Sequence, residues 1–264
     1  MASYNELIGK VAIVTGAGRN IGRAIALALA EGGASIVVNA RSNRAEADAV
    51  AREIEAAGGK ALVNIGDVAD AAAMQAMADA AVKHFGRIDI LVNNAALRRE
   101  KSFTEMSYAE WREILDVTLD GTFHCTKACL PGLRKSGAGT IVNIGGLSAH
   151  TGARNRAHVV TAKAGIVGFT RALAHDLAAD GITVNCVVPG LIRHAASERQ
   201  AGTRAPPDPS DHHRRARQAG RCRRSGAIPL RPGRALHQRA GNPCQWRRLF
   251  GLVVHGLLDV FAGA

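Results

Sequence analysis

The chain has 264 residues, 47% apolar and 21% charged, the balance of one globular domain with a sizeable core rather than of a disordered or fibrous chain. No run of about 20 uncharged apolar residues occurs, and the first residues form neither a basic nor an apolar segment. A membrane span, a membrane partner and a secretory leader are therefore not expected, and the chain reads as cytoplasmic. The net charge of +12 would point to nucleic acid if it were spread evenly. It is not, because residues 193–264 hold fourteen arginines, no lysine and four acids, a net of +10, which leaves +2 for the rest.

In chain order, short Val- and Ile-rich runs at 11–14, 35–39, 61–65, 88–92, 140–144 and 183–188 alternate with helical periods at about 20–32, 43–57, 69–85, 103–135 and 155–179. The runs are continuously apolar, as expected of parallel strands buried on both faces. The alternation predicts an α/β fold, a three-layer doubly wound parallel sheet of Rossmann type. It forms a single domain over 1–192 with right-handed crossovers. Cys125, Cys129 and Cys186 fall inside apolar helix or strand patterns and read as reduced, buried thiols.

The first strand runs into Thr15-Gly16-Ala17-Gly18-Arg19-Asn20-Ile21-Gly22 and then into a helix. Glycine lets backbone approach a pyrophosphate, and a helix N-terminus offers free N–H groups and a positive dipole. A glycine loop alone is a weak signal. Here a strand precedes it, a helix follows, and a second strand ends about 20 residues on, which makes it a nucleotide motif. That second strand closes on Asn39-Ala40-Arg41-Ser42 without an acid. An acid there would bond a ribose 2′-hydroxyl and repel a 2′-phosphate, whereas Arg41 and Arg19 can pair with the phosphate. NADP(H) is expected as the cofactor, in preference to NAD.

These motifs resemble the short-chain dehydrogenase/reductase family over about residues 1–192. The loop matches that family's Thr-Gly-x-x-x-Gly-x-Gly, with Asn20 in place of the middle glycine. Asn tolerates positive φ better than most residues, so the turn should survive. Asp67, with Val68, follows the third strand at the family's adenine contact. Asn93-Asn94-Ala95-Ala96 resembles its Asn-Asn-Ala-Gly, and Pro189-Gly190 follows the sixth strand as in the family. The resemblance assigns Thr15, Gly16, Gly18, Arg19, Asn20, Ile21, Gly22, Arg41, Asp67, Val68, Asn94, Ala95, Lys163, Pro189 and Gly190 to cofactor binding.

The catalytic pattern breaks. The family uses a tyrosine to move the proton, a lysine four residues later to lower the tyrosine pKa and hold the nicotinamide ribose, a serine thirteen residues before the tyrosine, and an asparagine in the preceding helix. Lys163 matches the lysine, but the other positions hold Val159, Gly146 and Thr118. Valine cannot transfer a proton, so the family mechanism does not carry over. Lys163, Ser148 and His158 are the candidate catalytic replacements. Ser148 could instead be a loop-capping serine and His158 a wall or solvent-facing residue. On a regular helix His158 points some 100° away from position 159.

The tail from Arg193 breaks the order. Residues 193–224 show no sustained period of 2 or 3.6. Arginine without lysine is natural for GC-rich DNA read out of frame, because most arginine codons begin with CG. Residues 242–249 can be encoded AAT CCA TGT CAA TGG CGG CGG CTA, which shifted by one base reads Ile-His-Val-Asn-Gly-Gly-Gly. Residues 219–225 can shift to Pro-Glu-Asp-Val-Ala-Ala and 228–233 to Phe-Leu-Cys-Gly-Pro. The three phrases, in this order, resemble the family's C-terminal end. A frameshift between roughly 193 and 204 is expected, which would remove the last strand and the substrate lid. A real nucleic-acid arm would need aromatic residues among the basic ones, and Trp246 is the one plausible stacker. His212, His213, Cys222 and Cys244 match no ligand spacing, so no metal is expected.

Three functions fit: an NADP-dependent oxidoreductase acting on a small carbonyl, imine or enone with altered acid–base chemistry; a catalytically silent NADP-binding sensor or assembly partner; and, resting on the tail alone, a nucleic-acid binder. The resemblance implies a homotetramer or homodimer, if the tail is in frame, built through the helices at 103–135 and 155–179 and the C-terminal strand.

Overall fold

The structure, a computed structural model, describes residues 6–189. Gly190 and the whole segment 193–264, with its out-of-frame reading, its nucleic-acid arm and its His and Cys group, lie outside the described residues.

Six strands form one sheet: β1 (Val11–Val14), β2 (Ser35–Ala40), β3 (Lys60–Ile65), β4 (Ile90–Asn93), β5 (Thr140–Ile144) and β6 (Thr183–Val187). All pairs are parallel and the order is β3-β2-β1-β4-β5-β6. The helices are α1 (Asn20–Glu31), α2 (Arg44–Ala56), α3 (Ala71–Phe85), α4 (Tyr108–Leu115), α5 (Gly121–Lys135), the short α6 (Ser148–Thr151) and α7 (Ala157–Asp176). Alternate strand residues face opposite layers. Ala12, Val14, Ile36 and Val38 pack with Ile25 and Leu29 of α1 and Val50 and Ile54 of α2. Ile13, Val37, Leu91 and Ile141 pack on the other face with Met74 and Met77 of α3, Cys125, Cys129 and Leu133 of α5 and Leu173 of α7. The expected doubly wound three-layer fold is the one observed, with strand ends within two residues of expectation.

The helix read at 103–135 is a correction. It is a 3-10 turn at Phe103–Glu105, then α4, a π-helical turn at Asp116–Asp120, and α5. Ser107 starts α4 with a reciprocal capping box: its hydroxyl accepts from Glu110 N, and the Glu110 carboxylate accepts from Ser107 N. That device marks a new N-terminus. The helix read at 155–179 likewise ends at Asp176, before a 3-10 turn at Ala178–Asp180. No helix among the described residues is long and apolar enough to cross a membrane.

Candidate functional site

Parallel strands deliver their C-terminal ends to one edge of the sheet, and the order reverses between β1 and β4, where doubly wound folds place ligands. The β1–α1 loop and the residues after β4 are tied together there. Thr15 is buried, its Oγ1 accepting from Asn94 N and Ala95 N at 3.0 Å each and donating to Val92 O at 3.3 Å. Asn94 Nδ2 donates to Thr15 O at 2.9 Å and Gly16 O at 3.1 Å. The packing is so close that a Cβ on Gly22 would stand 2.2 Å from Gly16 O and 2.6 Å from Asn94 Nδ2. Asn20 takes φ +50°, the left-handed conformation that the missing glycine would have supplied. No side chain caps α1, whose N-cap residue Arg19 is extended. Its first N–H groups therefore remain available to an anion.

Arg19 and Arg41 are both exposed and pair with no described acid. Asp67 accepts from Ala69 N at 3.0 Å in the turn after β3. Val68 is buried against the start of α5, where a Cβ on Gly121 would stand 2.6 Å from its Cγ2. Pro189 follows β6, half-buried.

Asn39 belongs to this end of the sheet, and motif reading passed over it. It is buried in the apolar run of β2. Its carbonyl accepts from Ala17 N at 2.8 Å, its Oδ1 lies 3.4 Å from Gly16 N, and its Nδ2 donates to Asn64 Oδ1 at 3.0 Å and Gly66 O at 3.1 Å. It thus fastens the glycine loop to the β3 turn. A second asparagine pair sits on β4 and β5, where Asn93 Nδ2 donates to Asn143 Oδ1 at 2.9 Å and Asn143 Nδ2 to Thr170 Oγ1 of α7 at 2.9 Å. Asn39 and Asn64 are register partners, as are Asn93 and Asn143. The available signal was an asparagine at or just past the end of four of the apolar runs, Asn39, Asn64, Asn93 and Asn143, since a buried amide needs a hydrogen-bonding partner.

At the catalytic end, Lys163 reaches from α7 to the end of β5, its Nζ donating to Ile144 O at 2.5 Å. Burial pulls its pKa down to about 8. Gly146 borders it: a Cβ there would lie 3.7 Å from Lys163 Cγ, 4.0 Å from Lys163 Cδ and 4.0 Å from Ser148 Oγ, all ordinary contacts. Lys163 and Ser148 therefore flank one side-chain gap. Val159, one turn before Lys163, is 8% exposed and packs with Ile114, Leu115 and Ala162. Thr118 lies in the π-turn, a conformation frequent at functional sites. Its carbonyl accepts from Thr122 Oγ1 at 2.8 Å, while its own hydroxyl is buried with no partner.

His158 is fully buried, with neither ring nitrogen hydrogen-bonded to a described residue, so it does not face solvent. Burial lowers its pKa against the smaller opposing effects of the Arg156 backbone and Glu110. The buried thiols of Cys125 and Cys129 are pushed up by desolvation, Cys129 to about 12. Half-buried Cys186 is also raised by burial, against the Lys163 charge.

Residues 10–204 match the family described as short chain dehydrogenase. A Synechocystis 3-oxoacyl-(acyl-carrier-protein) reductase is 42% identical over 186 residues, 70% of this chain and 75% of its own length. The 3-oxoacyl-(acyl-carrier-protein) reductase FabG of Staphylococcus aureus strain Mu50 is 40% identical over 183 residues, 69% of this chain and 74% of its own. A solved structure described as a short-chain alcohol dehydrogenase, from Sinorhizobium meliloti 1021, superposes with a TM-score of 0.71 at 35% identity. It covers 75% of this chain and 80% of that one.

Proposed function

The chain belongs to the short-chain dehydrogenase family, and from that premise we propose that it binds NADP(H) and transfers hydride to a small carbonyl, imine or enone without the family's tyrosine. The observation that carries this is the close-packed cradle of Thr15, Gly16, Gly22 and Asn94, in which Gly22 has no room for a side chain. The cradle and the uncapped start of α1 would hold the pyrophosphate. Asp67 and Val68 would meet the adenine, and Arg19 and Arg41 the 2′-phosphate. Asn94, Ala95 and Pro189, with Gly190, would border the nicotinamide, whose ribose Lys163 would hold. When bound, the nicotinamide supplies or accepts the hydride.

The residues that remain decide which substrates suit the site. Val159 and Gly146 offer no proton, and the groups flanking the gap that can are Lys163 Nζ and Ser148 Oγ. An iminium carries its proton in already, and an enone accepts hydride at carbon, so both need less acid catalysis than a ketone. The names of the relatives add 3-oxoacyl thioesters to the substrates to be tried. A second reading, a silent NADP-binding protein, is favoured by one observation: the tyrosine position is closed by the apolar cluster around Val159.

Titration of the full chain with NADPH and NADH is the first test. Tighter binding of NADPH is expected, with Arg41→Glu removing about tenfold of that preference. Binding of neither nucleotide would overturn the proposal. Hydride transfer is then followed with ketones, imines, enones and 3-oxoacyl thioesters, and binding without turnover on any class would establish the silent reading instead.

A further inference from the structure

His158 stands on the first turn of α7, where two loops and a helix meet. Just before it, Asn155 O accepts from Lys101 N at 2.8 Å and Arg156 Nε donates to Glu100 Oε1 at 3.1 Å, which ties the loop at 152–157 to the segment after β4. Just after it, Val159 packs with Ile114 and Leu115 of α4, and Trp111 lies against the same cluster. The His158 ring is fully buried in this closure, and neither Nδ1 nor Nε2 has a hydrogen-bond partner among the described residues. A neutral imidazole has one N–H to satisfy, whereas an imidazolium has two and a charge. The charged ring is therefore the form that such a site holds at the greater cost. Of the titratable and charged groups on the elements around it, Glu110 of α4 favours the charged ring and Arg99, after β4, opposes it. Both are engaged elsewhere. The Glu110 carboxylate accepts from Ser107 N at 2.8 Å and pairs with Lys101 at 3.7 Å, and Arg99 pairs with Glu113 at 2.7 Å.

We propose that His158 is a proton-operated latch: neutral, it stays packed and holds the start of α7 and the loop at 152–157 closed on α4 and the 97–101 segment; protonated, it leaves for water and this closure opens. Only a proton moves, from solvent to the ring nitrogen that lacks one. Burial is the largest influence on the ring and disfavours its charged form, so the closed state binds the proton less readily than the open one. The ring's contribution to closure is then present in full above about 6.5, the value of an exposed histidine. It is lost as the pH falls from there through the lowered value of the closed state. The opening reaches Val159 and the turn before Lys163, which form one wall of the catalytic end. It does not reach the glycine cradle, whose bonds run between the β1 loop and the residues after β4. The latch thus acts on the substrate side of the site and leaves the nucleotide side in place.

The test is amide hydrogen exchange of the full chain without nucleotide, at about pH 7.5 and pH 5.5, corrected for the intrinsic rate at each pH and located by peptide mass spectrometry. Peptides within 97–112 and 152–162 are expected to open up to about tenfold more at the lower pH, the most that one histidine titrating from an exposed value near 6.5 allows over that span. Peptides from β1 and β2 should keep their protection. His158→Gln, which keeps a polar side chain but takes up no proton, should remove the difference, and so should His158→Phe, which fills the site with an apolar ring. Equal exchange of the two segments at both pH values in the parent, or an acid rise shared equally by β1 and β2, would overturn the proposal without reference to any variant. A pH dependence that survives in either folded variant would overturn it as well. None of these results depends on NADPH binding, so failure here is distinct from failure of the cofactor reading.

Discussion

Gly146 and Val159 stand where the family resemblance expects a serine and a tyrosine, and the two differ in how easily the expected residue could return. Gly146 leaves room for a serine, because an added Cβ meets Lys163 and Ser148 at 3.7 Å and 4.0 Å. Gly146→Ser alone should therefore stay within about 0.5 kcal/mol of the parent in stability. Val159→Tyr is harder. The valine is almost closed off by Ile114, Leu115 and Ala162, and enlarging a packed residue costs about 1–3 kcal/mol. The tyrosine would stand one turn before Lys163 on the same helix face, where the cationic amine lowers a phenol's pKa. The double variant is expected to reduce a simple ketone with NADPH about a hundredfold faster than the parent, the lower range of general acid catalysis. A folded double variant that binds NADPH and gains nothing would show that the missing phenol and hydroxyl are not what limits the chain.

Elements were legible where a local pattern is their whole cause, and illegible where a turn or a cap interrupts it. The strands could be placed because each is a continuous Val- and Ile-rich run buried on both faces. The run 103–135 looks like one helix because apolar residues continue through it, yet Ser107 and Glu110 form a capping box that begins α4, and the π-turn at Asp116–Asp120 adds a residue that no 3.6-residue period reveals. The glycine loop was readable down to the tolerance of Asn20 for a positive φ, here +50°. Asn39 was not, since its role depends on Asn64, a partner supplied by strand pairing rather than by spacing. Asp89 is a second such case. It stands just before β4, buried, and its carboxylate accepts from Val11 N at 3.0 Å, Lys10 Nζ at 3.1 Å and Arg87 Nε at 2.7 Å, which clamps the starts of β1 and β4. Desolvation raises its pKa, but the bonds from Arg87, Val11 N and Lys10 outweigh this and hold it below the ordinary carboxylate range. A carboxyl with a depressed folded pKa contributes stability above its unfolded pKa and loses it as pH falls through the folded value. Asp89→Asn should therefore cost about 3 kcal/mol in urea unfolding at neutral pH. The gap between variant and parent should narrow as the pH falls below the ordinary carboxylate range. A gap that stays constant into acid would remove the charge from the account.

On the scale of the whole molecule, the sheet ends in β6, which among the described residues pairs with β5 alone. An edge of unpaired backbone groups is a liability that folds cover or blunt. The family resemblance implies a further strand at the C-terminal end, and the tail as written has no strand-like run at 193–224 to provide it. The shifted frame reads Ile-His-Val-Asn-Gly-Gly-Gly in place of residues 242–249, a short β-branched run closed by glycines, which is the kind of segment such an edge accepts. The three shifted phrases would also replace six arginines (Arg221, Arg223, Arg224, Arg231, Arg247 and Arg248) with no basic Lys or Arg and two acids, which lowers the net charge of the chain. We therefore expect the protein made by its native organism to yield peptides containing Val-Asn-Gly-Gly, and the chain carrying the arginine-rich tail to melt broadly and to lack a single oligomer peak. Peptides matching residues 242–247 as written, from a protein that melts sharply as a defined oligomer, would contradict both expectations. The arginine-rich segment would then be a genuine part of the molecule, and with the family's C-terminal end and its tyrosine both replaced, the silent NADP-binding reading would become the stronger one.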